Sequence, residues 1–399
     1  MPANLLLFLL PVLFGLGGLS ANVIDIGDAV RRGDKMLPIA VESSDRNLTE
    51  IGRRAFNLHG AFRVSSADDA AIVLKLRQAG SNSVFMRVDS RGSEIRELRG
   101  KVTGNGIRDA VLRACDKTVE ASLDLNGFFA GKLAFVGKQR GNSELYVSDL
   151  LFSRVRPLTA DRALVTGPSW SPDGKQLLFT TYFKTGSPDI YKIDLSSGNR
   201  ELIAGFKGTN SGAAFSPDGR LIAMIMSGTG NAELYVSDPS GRNIQRLTAN
   251  DSLEAAPSWS PDGSRLVYVS DAPGRPQLFQ VKSEGGSPRR IPTNISRYCA
   301  EPDWNPVDPE RIAFTVAVGS GFQIAVYEAS ERDSKIVTSV ADSAVEPVWL
   351  NDGRHLVFTQ RQHGRTRLML LDTETETVKP LHKPEFGDAS SAGFVYPGR

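Results

Sequence analysis

Pro168-Ser169-Trp170-Ser171-Pro172-Asp173-Gly174 is one copy of a recurring turn: Ser-Pro-Asp-Gly returns at 216–219 and 260–263, with relatives at Asn305-Pro306 and Leu350-Asn351-Asp352-Gly353. The residue before each turn is aromatic, namely Trp170, Phe215, Trp259, Trp304 and Trp349, at spacings of 45, 44, 45 and 45. One more step of 45 reaches Phe394. All four tryptophans of the 399-residue chain therefore share one repeat position, which assigns them to repeated core packing rather than to a stacking platform for a ligand. In the turn, proline fixes φ, aspartate bonds to nearby backbone and glycine accepts positive φ.

Each unit reads the same way outward from that turn. A short apolar strand ends at the aromatic residue, and a second follows the turn, as in Gln176–Phe179 or Arg265–Val269. A third comes after a glycine-containing turn, as in Leu145–Val147, Ile190–Tyr191 or Leu234–Val236, and a fourth closes the unit, as in Arg156–Thr159 or Arg246–Thr248. Four short antiparallel strands every ~40–45 residues is the pattern of a β-propeller blade. Second strands begin near Lys132, Gln176, Arg220, Arg265, Arg311 and Arg354, which makes six. The unit at 132–159 lacks its own first strand, and 390–397 is a strand without a unit. Pairing the two gives an all-β, six-bladed propeller over 126–399, closed by the C-terminal strand, and removes two exposed edges.

Residues 22–125 lack the repeat. Met36–Val41, Ala71–Leu76 and Ser83–Val88 read as strands, with a turn at 89–92 leading into Ile95–Val102. Leu48–Leu58 has helical spacing, and Ile107, Val111, Ala114, Cys115, Val119 and Leu123 lie on one helical face, with Asn105 as the expected N-cap. The chain is thus multidomain, with a small α/β domain before the propeller and a polar, mobile arm at 22–35. Cys115, on the apolar face, is read as packing.

Residues 5–19, LLLFLLPVLFGLGGL, are apolar but reach only ~22 Å as a helix, short of a ~30 Å hydrocarbon core. Small residues Gly17, Gly18, Ser20 and Ala21 follow, so 1–21 reads as a secretory signal peptide cleaved near Ser20 or Ala21. Composition excludes other classes. Forty-seven Lys+Arg against 45 Asp+Glu leaves a net charge of +2 with no basic block, which argues against a nucleic-acid partner. Two cysteines cannot form a disulfide framework, and four histidines are too scattered in sequence for a zinc cluster. No G-x-S-x-G elbow occurs and no spare segment could carry a hydrolase fold. Asp173, Asp218 and Asp262 are read as turn formers. No catalytic residue, cofactor or metal is expected.

With Pro168–Gly174, Ala214–Gly219, Gly274-Arg275-Pro276-Gln277-Leu278-Phe279 and Gly285–Ile291 in hand, the chain resembles the TolB family, the periplasmic component of the Tol–Pal envelope system. The resemblance runs over essentially the whole chain. It implies a periplasmic, non-enzymatic monomer peripheral to the membrane through its partners: the lipoprotein Pal on the propeller, TolA on the N-terminal segment, and other envelope proteins. Outer-membrane integrity and constriction at cell division are the implied roles. Val23, Ile24, Asp25, Ile26 and Asp28 would form the TolA-facing arm. Independently of the family, loops entering the innermost strands form the channel mouth, and loops on a rigid scaffold carry binding. That nominates Asn210, Ser211, Glu254, Arg297, Tyr298, Glu301 and Glu346 as the partner rim. As rim side chains they are expected to have little packing to lose, so that replacing Asn210, Glu254, Tyr298 and Glu301 together should spare stability. Glu254, Glu301 and Glu346 also offer oxygen donors for a cation, which nothing in their spacing demands. The alternative reading is an exported propeller enzyme, a lyase or glycan-active protein, with a carboxylate site in the channel.

Overall fold

A computed structural model describes residues 35–91, 98–139 and 141–398. The signal-peptide reading, the expected TolA-facing residues and all of the arm except Lys35 lie outside these residues. Among the described residues no helix is long and apolar enough to cross a membrane.

The first unit is a five-stranded sheet backed by two helices. Strands β1 (Leu37–Glu42), β2 (Phe62–Val64), β3 (Ile72–Gly80), β4 (Ser83–Ser90) and β5 (Leu98–Thr103) are ordered β2-β1-β3-β4-β5, parallel at β1 and antiparallel from β3 onward. Helix α1 (Arg46–Leu58) starts where Asp45 accepts a 2.8 Å bond from the Asn47 N–H and buries Leu48, Ile51, Ala55 and Phe56. Helix α2 (Ile107–Leu123) buries Val111, Ala114, Cys115 and Val119, with Cys115 wholly enclosed. The expected Asn105 cap does not form: Gly106 is the N-cap, and Asp109 reaches back to the Asn105 N–H at 2.7 Å. Strand β2 was missed because three residues carry no readable period.

From Lys132 onward the chain is β-sheet. Four-stranded antiparallel units begin with Val165–Trp170, Asn210–Phe215, Glu254–Trp259, Cys299–Trp304 and Ser343–Trp349; the last two meet through a single parallel bridge, Phe322↔Ser343. The C-terminal strand Asp388–Val395 pairs antiparallel with Lys132–Gln139, from Asp388↔Lys138 to Val395↔Lys132. It thereby supplies the first strand of the unit built by 132–157. The turns work as their residues require: the Asp173, Asp218 and Asp262 carboxylates accept from the hydroxyls of Ser171, Ser216 and Ser260. Where the turn is Asn305–Pro309, Asn305 Oδ1 accepts from the N–H groups of Val307 and Asp308 instead.

The repeat aromatics are core. Trp170, Phe215, Trp259, Trp304 and Trp349 are all at most 9% exposed. Trp170, Trp259 and Trp349 each donate an indole N–H to a carbonyl on the first strand of the preceding unit, at Gly393, Ala214 and Asp303. Trp304 instead bonds within its own longer turn, to Pro309. Trp259→Ala should therefore cost ~3–5 kcal/mol in chemical denaturation, the usual penalty for deleting a large core aromatic. A loss below ~1 kcal/mol would show that the indole is dispensable.

The two units dock at one end of the strands. Arg108 pairs with Asp149 at 2.8 Å and Lys379 donates to the Asn57 carbonyl, while the segment entering the propeller is pinned where the Asn126 and Asn351 side chains donate to the carbonyls of Asn351 and Gly127. Asp116, buried, accepts from the N–H groups of Phe129 and Ala130 and from the Tyr396 hydroxyl. All these propeller contacts lie at the Asp-Gly turn end, so among the described residues the small domain leaves the opposite loop end uncovered.

Candidate functional site

At the loop end each first strand carries the same irregularity. Its register shifts in the middle, as between Ala255 and Ser258 or Ala300 and Asp303. Six residues at the repeat spacing take positive φ there: Gly167, Gly212, Ala256, Glu301, Glu346 and Ser391. Four of them are not glycine, with φ between 48 and 57°, a conformation that costs an L residue about 1–2 kcal/mol and marks a constrained, re-aimed bulge. Sequence reading missed this feature, although glycine three residues before Trp170 and Phe215 was its signal.

These bulges line a channel of about 680 Å³. Glu301 accepts from the Thr315 hydroxyl of its own unit at 2.7 Å and reaches across to the next unit for the Glu346 N–H at 2.9 Å. Glu346 repeats the move on the Ser391 N–H, at 2.9 Å, and the Thr359 hydroxyl, at 2.8 Å. Burial first, then the neighbouring Glu346, raises the Glu301 carboxyl above its ordinary range. One layer deeper, Asp303 joins Ser258 to the Trp349 N–H, and burial raises it to about 6. Glu301 and Glu346 therefore staple neighbouring first strands as well as facing the channel.

The other nominated residues divide. Ser211 and Tyr298 are half-buried and Arg297 is exposed, with Tyr298 packed 5.4 Å from the Phe322 ring. Asn210 is fully buried, its amide spent on the Pro188 and Phe206 carbonyls and the Phe206 N–H. Glu254 is 2% exposed. The expectation that these rim side chains have little packing to lose is thus overturned for Asn210 and Glu254. Both begin strands rather than sit in loops, and their side chains turn inward. The uncovered end instead presents apolar residues that sequence reading passed over: Leu164, Phe183, Phe206, Leu253 and Val318, each at least 41% exposed. An apolar rim of this kind marks an interaction surface.

One group of histidine and acid residues among those described, His59, Asp352 and His355, is close enough to consider for a metal. The expectation that the histidines are too scattered fails here, because domain docking brings the two rings within 4.4 Å. The Nδ1 atoms of both rings are bonded, while both Nε2 atoms are buried with no hydrogen-bond partner among the described residues. His59 Nδ1 accepts from the Ala61 N–H, which places the proton on Nε2; Asp352 holds His355 Nδ1 at 2.6 Å, and Arg354 grips both oxygens of Asp372. Burial opposes charge on His355, but Asp352 and Asp372 outweigh it and push the group up to about 9. Asp352, Asp372, Arg354 and His355 together make a buried interdomain ion cluster. Burial, with His355 and Arg354, holds His59 neutral well below its ordinary value. The fit is close: a Cβ on Gly60 would lie 2.1 Å from Asp372 Oδ2.

The family model described as the TolB beta propeller domain matches residues 121–393. The chain belongs to that family. A Tol-Pal system protein TolB from Chromobacterium violaceum is 30% identical over 212 residues, 46% of this chain and 49% of the relative. The one from Nitrosomonas europaea is 32% identical over 119 residues, 30% of this chain and 28% of the relative. The chain thus spans about half or less of the length of these curated TolB relatives. The crystal structure of TolB from Acinetobacter baumannii superposes with a TM-score of 0.78 at 24% identity, covering 92% of this chain and 98% of that one. The likeness establishes a shared fold: a small α/β region followed by a propeller.

Proposed function

We propose that this chain is a non-enzymatic, periplasmic adaptor of the Tol–Pal envelope system that binds the lipoprotein Pal at the loop end of its propeller. The observation that carries the reading is the polarity of the molecule. The small domain occupies the turn end, while the loop end displays Leu164, Phe183, Phe206, Leu253 and Val318 with Tyr298 and Arg297. The relatives' names place them in the same system. In this reading 126–399 is a six-bladed ring sealed by Asp388–Val395, which the pairing with Lys132–Gln139 supports. Residues 22–125 form the small domain, and 1–21 direct export. The arm, with Val23, Ile24, Asp25, Ile26 and Asp28, meets TolA, and the chain acts as a monomer serving outer-membrane integrity and constriction at division. Ser211, Glu301 and Glu346 complete the rim.

Titration calorimetry with the soluble domain of Pal tests the reading. Leu253→Asp with Tyr298→Ala should weaken binding by ~2 kcal/mol or more, since central aromatic and apolar anchors dominate interfaces. Leu253→Asp alone should barely move the melting temperature, because this side chain is exposed, whereas Tyr298→Ala, which removes packing on Phe322, should lower it by a few degrees. A double variant that binds Pal like the wild type would move the site off this end.

A further inference from the structure

The residue five before each repeat aromatic, at or next to the start of the inner strand, occupies another repeat position: Val165, Asn210, Glu254, Cys299, Ala344 and Ala389. All six are buried. Five are apolar, a thiol, or, for Asn210, fully hydrogen-bonded. Packing at this position therefore does not require a charge, yet Glu254 places one there. Its Oε1 accepts from Asn250 Nδ2 at 2.8 Å and the Ser270 hydroxyl at 3.3 Å, while Oε2 finds no donor among the described residues. An unmatched buried carboxylate oxygen is costly to keep.

Glu254 lines a cavity of about 490 Å³ at the loop end, shared with Thr209, Ser211, Ser227 and Asn231. Exposed Leu253 lies on its rim, and exposed Phe206 lies in the loop leading to Thr209. Resting on the partner reading above, we propose that this cavity is a subsite for a cationic N–H donor, the ammonium or guanidinium head of a lysine or arginine on the bound protein. The head group would meet Glu254 Oε2 and the surrounding hydroxyls, while its aliphatic stem lies along the apolar rim.

The facing groups fix the pH behaviour. Glu233 is already matched by Arg246, Thr248 and the Asn250 N–H; Asp271 accepts from the Leu253 N–H, and buried Tyr268 stays neutral. Burial, with smaller pushes from Glu233 and Asp271, raises Glu254 to about 6. The subsite therefore favours a cation above that value and loses it as pH falls through it.

Two arms test this on the full chain. In the first, Pal domain affinity is measured for the wild type and Glu254→Gln at pH 7.5 and 5. The expected result is a loss of about tenfold for the variant, the size of one charge-assisted contact. A similar loss is expected for the wild type on acidification, with the variant flat. In the second, n-butylammonium and tetramethylammonium, which has no N–H donor, are titrated against the wild type at both pH values. A thermal upshift from butylammonium alone, at pH 7.5 alone, supports the subsite even if Pal does not bind, in which case the partner reading fails by itself. Equal shifts from both ions, or none, overturn the subsite, as does Pal affinity that ignores both the substitution and pH. The wild-type ion comparison decides the matter if Glu254→Gln does not fold.

Discussion

A chain ending at Gly387 should not give a cooperative fold: calorimetry should show no sharp transition, and the protein should aggregate on expression. Asp388–Val395 is tied to four separate parts of the molecule. It completes the sheet of Lys132–Gln139 along its length, and its Ala389, Ala392 and Val395 enter two apolar cores. Its Gly393 carbonyl accepts the Trp170 indole, and its Ser391 N–H meets Glu346 in the preceding unit. Just beyond it, Tyr396 bonds to Asp116 on α2. Deletion would leave an unpaired strand at Lys132–Gln139 and an uncovered flank on the Ser343–Trp349 unit, the edges that template aggregation. A truncated chain that melts cooperatively within a few degrees of the full one would refute the closure.

Arg354→Ala should be the most damaging single substitution at the domain interface, costing ~3–5 kcal/mol because it strips the partner from a buried carboxylate. Arg354 and Asp372 are 4% and 1% exposed and bond at 2.8 and 2.7 Å. With the guanidinium gone, His355 Nε2 at 3.5 Å, the backbone N–H groups of Glu374 and Thr375 and the more distant Lys379 are left facing the anion among the described residues. Adding Asp372→Asn should recover part of the loss, since the unpaired charge disappears. The pH dependence follows from His355, whose folded value near 9 lies above its ordinary value of 6.5. Its stabilisation is complete below about 6.5 and is lost as pH rises toward and through 9. Denaturant titrations of wild type and variants between pH 6 and 10 would check both claims. An Arg354→Ala protein as stable as the wild type would mean that the cluster contributes nothing to docking.

The architecture was legible because it repeats. One aromatic at 44–45-residue spacing located every inner strand, and the orphan segment 390–397 was traceable to the unit lacking its partner. The ion cluster was not legible. His59 and His355 are 296 positions apart, and only docking of the small domain brings their rings together. The bulges were half legible, since Gly167 and Gly212 announce positive φ whereas Ala256, Glu301, Glu346 and Ser391 adopt it against their preference. Asn210 and Glu254 were misjudged because the inner strands begin earlier than the loops 207–212 and 250–255 suggest: as loop residues they would be solvated, but as first residues of strands they face the core.

Hydrogen–deuterium exchange on the full chain with and without saturating Pal domain tests the central claim most directly. The account predicts protection in the loops at 207–212, 250–255, 296–301 and 341–346, and little change at the Ser-Pro-Asp-Gly turns 171–174, 216–219 and 260–263. Protection confined to those turns, or none at either end, would contradict it.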